Sequence, residues 1–138
     1  MKKYIIIVLL FMISAIHIYA KQTIVLTIYP NIHMIDEKKR GKLLIKNLKP
    51  GTRYYVKMVG HAWLSDQTGR YADPVHGVMI YYREFKNGKS QDSYRVIKHR
   101  ERFVFTTAKT HPIFTAFIME IYSKRNNRGK FVITLREL

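Results

Sequence analysis

Five histidines lie beyond residue 20: His33, His61, His76, His99 and His111. An imidazole can ligate a metal or move a proton near neutral pH. None of the five stands in a His-x-x-x-His or His-x-His arrangement, and there is no Cys to complete a zinc set. His61 and His76 bracket a segment that carries Asp66 and Asp73, so folding could gather two imidazoles and two carboxylates. The plainer expectation is a group of solvent-facing loop histidines. Ser65 and Ser93 lack the Gly-x-Ser-x-Gly setting of a nucleophile. Asp66 and Asp73 would serve glycoside hydrolysis only if a cleft held them at a fixed gap. With only 9 acidic residues in 138, the expectation is a protein that is not an enzyme and carries no metal or cofactor.

Binding chemistry is easier to find. Trp63 is the single indole, beside His61. Its ring either plugs one end of a core or offers a platform for the apolar face of a sugar. In the second case Asp66, Gln67, Asp73 and His76 are placed to take hydroxyls, a pocket composition suited to a polar ligand. Basic residues form two runs, Lys38 to Lys49 and Lys124 to Lys130. A chain with 25 Lys and Arg is drawn to polyanions within roughly a Debye length. Nucleic acid, a lipopolysaccharide phosphate, an anionic glycan, a phospholipid surface or a protein partner would each fit, as would a face that is merely solvated. No specific nucleic-acid motif is present.

The elements that must position these groups are short strands. Residues 1–20 differ from the rest: Lys2 and Lys3, an apolar run from Tyr4 to Ile16, and Ala20 at a cleavage position predict a signal peptide. The run is too short for a transmembrane anchor, and none is expected in the mature chain. Removing 20 residues leaves 118, and losing Lys2 and Lys3 takes the formal charge from +16 to +14. Residues 21–138 then form a single domain, large enough for a core without disulfides. The expected location is secreted or periplasmic.

β-Branched and aromatic runs predict about eight strands. They are 23–29, 42–48, 53–59, 78–83, 93–98, 102–107, 113–122 and 131–135. Lys49-Pro50-Gly51-Thr52 has the type II turn pattern, and Asn87-Gly88 predicts a hairpin that brings Tyr81 or Tyr82 against Tyr94. Residues 60–77 lose the alternation and predict a long loop. No segment holds a helical period over a dozen residues. The fold class is therefore all-β, an antiparallel β-sandwich or jelly roll, with a small closed barrel as the alternative. The expected inward set is Ile24, Leu26, Ile28, Leu44, Val56, Phe103, Phe105, Phe117, Ile121, Val132 and Thr134.

Four short motifs, Leu48 to Tyr54, Gly60 to Trp63, Asp73 to Gly77 and Ile121 to Ile133, together resemble the bacterial galactose-binding lectins with a calcium-dependent jelly-roll domain. The resemblance covers about residues 22–136 and implies a galactose-binding-like β-sandwich. It also implies that Asn126 and Asn127 match the family's calcium-holding asparagine pair and that His76 matches its sugar-contacting histidine. The chain departs from the family where Lys124 replaces an aspartate. Ammonium charge in that place opposes a hard divalent cation, so the loop is expected to hold no calcium.

Two functions follow as expectations. One is a secreted, non-catalytic carbohydrate-binding protein that uses His61, Trp63, Asp66, Gln67, Asp73, His76, Asn126 and Asn127. The other is an envelope-associated interaction module that meets an anionic surface or a protein through its basic face.

Overall fold

The computed structural model of the chain describes residues 20–35, 41–65, 72–119 and 127–138, the side chains of Ser65, Ala72 and Asp73 excepted. Ten strands are present among them: β1 (Thr23–Ile28), β2 (Met34–Ile35), β3 (Leu44–Asn47), β4 (Arg53–Ser65), β5 (Ala72–Pro74), β6 (Val78–Lys86), β7 (Lys89–Ile97), β8 (Arg102–Thr106), β9 (Ile113–Met119) and β10 (Arg128–Glu137). They form two five-stranded sheets. In the first, β1 pairs with β10 and β10 with β4, while β8 and β5 share the other edge of β4, one after the other. In the second, β3 and β2 share one edge of β9, followed by β6 and then β7. All pairs are antiparallel except β2 with β9.

The inner faces of the two sheets make one core, so the architecture is sandwich-like. From the first sheet come Tyr54, Val56 and Met58 of β4 and Phe131, Ile133 and Leu135 of β10. From the second come Ile80 and Tyr82 of β6 and Phe114 and Ile118 of β9. The Tyr82 ring lies 5.5, 4.6 and 6.3 Å from those of Phe103, Phe105 and Phe114, an aromatic cluster that bridges the layers. The sheets also meet at a corner, where Ala108 N–H donates to the Arg83 carbonyl at 3.0 Å and Glu84 bridges to Thr107.

The turns follow their residues. Asn87 and Gly88 have φ of 52° and 77°, the pair of positive angles a two-residue hairpin turn needs, and Tyr81 sits opposite Tyr94. Gly51 takes φ 61° after Pro50. Thr107 clamps this turn from a fully buried position. Its Oγ1 accepts from Thr52 N–H at 2.8 Å and donates to the Lys49 carbonyl at 2.6 Å.

Three expectations need correction. Val132 and Thr134 are not the inward set of β10; Phe131, Ile133 and Leu135 are. Among the even positions only Val132 is apolar, beside Arg128, Lys130, Thr134 and Arg136, so the odd, apolar set goes inside. Phe117 also lies outside the core, which takes Phe114, Ala116 and Ile118 of β9; that strand is apolar on both parities, so its own residues select neither face. Residues 60–77 are not one long loop, because β4 runs on to Ser65 and β5 pairs with its end. The alternation was hidden there by small inward residues, Gly60 and Ala62. Of the remaining inward set, Leu44 and Phe103 are partly buried against the core, and Ile121 lies outside the described residues.

Candidate functional site

In β4 the even-numbered residues from Tyr54 to Ala62 point inward or towards a close backbone neighbour, so the odd-numbered ones face outward. This places Arg53, Tyr55, Lys57, Val59, His61 and Trp63 on one outer surface. The register adds residues from both flanking strands. On β10, Arg136 stands opposite Tyr55, Lys130 opposite His61 and Arg128 opposite Trp63. On β8, Arg102 stands opposite Lys57, and on β5, Pro74 stands opposite Trp63.

Among the described residues six cations therefore share this face: Arg53, Lys57, Arg102, Arg128, Lys130 and Arg136, all exposed. No carboxylate occupies an outward register position among the described residues of the sheet. Arg136 lies 5.4 Å over the Tyr55 ring. From Arg53 to Trp63 the strand runs about 33 Å, and neighbouring strands are about 4.8 Å apart. Confining six like charges to such a strip raises the energy of the free protein, and a bound polyanion relieves it.

One end of the strip carries aromatic rings. Trp63 is 42% exposed. His61 lies between it and His99, with ring centroids 6.2 Å from Trp63 and 4.2 Å from His99. The backbone N–H of Gly60 donates to His99 Nδ1 at 3.0 Å. An amide only donates, so Nδ1 accepts, and a neutral His99 ring in this bond carries its proton on Nε2. His99 thereby fills a gap on the β4 edge between β8 and β5. The same turn docks there through Arg100 N–H to the Met58 carbonyl at 2.9 Å and Met58 N–H to the Glu101 carbonyl at 3.1 Å. Two glycines fix the opposite side. Gly60 has φ 121° and Gly129 has φ 86°. A Cβ on Gly60 would fall 2.3 Å from the Lys130 carbonyl oxygen, and one on Gly129 would fall 2.2 Å from that of His61.

The expected site residues separate into groups. His61 and Trp63 come together as neighbours on the outer face. His76 is exposed and follows Val75, whose N–H bonds the Ala62 carbonyl at 2.9 Å, near the same end of β4. The backbone of Asp73 pairs with Leu64. Asp66, Gln67 and Asn126 lie outside the described residues, as do residues 1–19, Lys38 to Arg40, Lys124 and Arg125. Asn127 is not on this face: it is buried, and its Nδ2 donates to the Pro30 carbonyl at 3.3 Å. The basic run from Lys38 to Lys49 does not join the strip either. Lys46 is on β3 of the other sheet, and Lys49 pairs with Glu137 at 2.9 Å. That lysine's hydrogen bond holds the Glu137 carboxyl below its usual range.

Arg53, Lys57, Arg102, Arg136 and the role of His99 were not singled out from the sequence. The signals were the Arg-x-Tyr-x-Lys alternation at 53–57 and the Arg-x-Lys pair at 128–130. Among the described residues there is no cluster of three or more metal-capable side chains. Nor is any helix among them long and apolar enough to cross a membrane. Comparisons with protein families, curated proteins and solved structures give no match to this chain. What stands of the lectin resemblance is the all-β, sandwich-like arrangement of sheets.

Proposed function

We propose that this protein is a non-catalytic binder of an acidic glycan, held along the outer face of the first sheet. The observation that carries the reading is the strip of six cations without a described carboxylate, interleaved with Tyr55 and ended by Trp63. Anionic groups of a linear polymer meet the guanidinium and ammonium groups, and one sugar ring lies on the indole. Export by the leader of residues 1–20 belongs to the same proposal and places the partner outside the cytoplasm, where acidic polysaccharides are encountered. The lectin resemblance agrees with a glycan ligand on the His61–Trp63 end. The charge of the strip favours an acidic polymer over neutral galactose.

The test is binding of the mature chain to a sulfated or uronate polysaccharide and to a neutral galactan, at about 0.05 M and about 0.5 M salt. The expected outcome is binding to the acidic polymer that is lost at high salt, with no binding to the neutral one. Galactan binding that survives high salt would replace this reading with that of a neutral-sugar lectin.

A further inference from the structure

The outer face of the second sheet has the opposite character. Its central cross-strand row is Ile45, Thr115, Tyr81 and Tyr94, from β3, β9, β6 and β7. The next row is Phe117, Met79 and Val96. Ile45 is 59% exposed, Tyr94 70% and Val96 46%, and Met119 at the end of β9 is 64% exposed. An antiparallel sheet with one solvated face normally turns polar residues outward. The first sheet sets Lys, Arg and Thr between its exposed Val25, Val59 and Val104, whereas these two rows of the second carry no charged side chain. The charges at outward register positions here are Arg83 and Asp92, which pair with each other at 3.6 Å beyond the apolar rows. Lys109 lies 5.1 Å over the Phe85 ring, on the far side of that pair, so the two apolar rows themselves carry no charge, in a chain with 25 Lys and Arg against 9 Asp and Glu.

We propose that two copies of this chain pair through this face, sheet against sheet. The charge distribution selects the occupant. Two such basic chains repel wherever their cationic surfaces approach, and these two rows bring no cation of their own to the contact. A two-fold pairing sets the same surface of each copy against the other, so uncharged rows meet uncharged rows. Four strand positions by two side-chain rows, with Met119 beyond them, span roughly 20 by 15 Å, about 300 Å² in projection. That is at the lower end of the largest apolar patches on single chains, and under half of what each partner contributes to a standard stable interface. The dimer is accordingly weak and reversible, and it leaves both cationic strips facing outward on opposite sides.

Sedimentation of the mature chain without any polyanion, from about 1 to about 500 µM, covers the affinities of such small interfaces. The average mass should rise towards twice the monomer mass. Raising the salt should leave the association intact or strengthen it, because it screens the repulsion between copies. Tyr94→Lys and Ile45→Lys each place a cation on the pairing face at an exposed position. Each should weaken association at least tenfold, with the circular-dichroism spectrum and melting temperature unchanged. Val25→Lys, at an equally exposed apolar position on the first sheet, should leave association unchanged. A monomer at every concentration would overturn the proposal. So would a dimer indifferent to both Tyr94→Lys and Ile45→Lys, or one lost with Val25→Lys. Should Ile45→Lys fail to fold, Tyr94→Lys alone decides the outcome.

Discussion

If the strip on the first sheet holds a linear polyanion, the salt dependence of binding counts its cations. Each phosphate or sulfate neutralised on a single-stranded polyanion contributes about −0.7 to the slope of log affinity against log salt. Six engaged side chains set a slope near −4, so a fourfold rise in salt weakens binding roughly 300-fold. Replacing Arg128 and Lys130 with alanine removes two of the six, and the slope should fall to about −3 with only a roughly 50-fold loss over the same interval. Arg53→Ala with Lys57→Ala, at the far end of β4, should change the slope equally, because a polymer that spans the face meets both ends. Trp63→Ala tests the uncharged part of the contact. With 42% of its surface exposed and about half of that covered by a sugar ring, roughly 50 Å² is buried, worth about 1.3 kcal/mol or tenfold in affinity. That loss should appear at every salt concentration and leave the slope alone. Fluorescence anisotropy of a labelled acidic oligosaccharide, titrated at several salt concentrations, measures both quantities. A slope near zero, or one that neither double variant changes, would refute the assignment of these cations.

Stability offers further checks. Gly60→Ala combines a φ of 121° with a Cβ placed against the Lys130 carbonyl. It should cost at least about 3 kcal/mol by urea denaturation. Thr107→Val keeps the side-chain shape but leaves Thr52 N–H and the Lys49 carbonyl without the hydroxyl. A loss of about 2–3 kcal/mol is expected from the same measurement. His33 has its pKa lowered from 6.5, first by burial and then by Lys42, and its Nδ1 accepts the Tyr29 N–H at 3.0 Å. The unfolded chain thus binds the proton more readily than the folded one. The contribution is intact above pH 6.5, is lost as the pH falls from there to the folded pKa, and is then constant. Melting temperatures across this range should fall on acidification, and His33→Gln should flatten part of that fall.

Much of the fold was legible because β-branched and aromatic residues cluster where strands form. All eight expected runs coincide with strands, and the Pro50-Gly51 and Asn87-Gly88 turns have the positive backbone angles their residues favour. The missing strands, β2 and β5, have two and three residues, too few for alternation to register. Face assignment failed in Ile113 to Met119, where both parities are apolar and a period of two selects neither side, and in Phe131 to Leu135, where the deciding Arg128, Lys130 and Arg136 stand outside the run. The site was legible only in part. His61 and Trp63 are two apart in one strand, so period two puts them on one face. The cations of the strip come from positions 53, 57, 102, 128, 130 and 136; alternation joins 53 with 57 and 128 with 130, and no local pattern joins the separate segments. Register does, by laying β10 and β8 along the two edges of β4.

The aromatic end of the strip also rests on residues that carry no chemistry themselves. Gly60 and Gly129 flank the His61–Lys130 pair, each in a backbone conformation that disfavours a side chain and each against the partner strand's carbonyl. The alternation that buries Ala62 turns Trp63 outward beside Arg128. The amide of Gly60 is then free of both neighbouring strands' ladders and is taken up by His99, which brings a second imidazole alongside His61. A substitution at Gly60 therefore acts twice, on the pairing of β4 with β10 and on the placement of His99. That coupling separates a scaffold effect from a contact effect. Gly60→Ala should lower both stability and polyanion affinity, whereas Trp63→Ala should lower affinity alone.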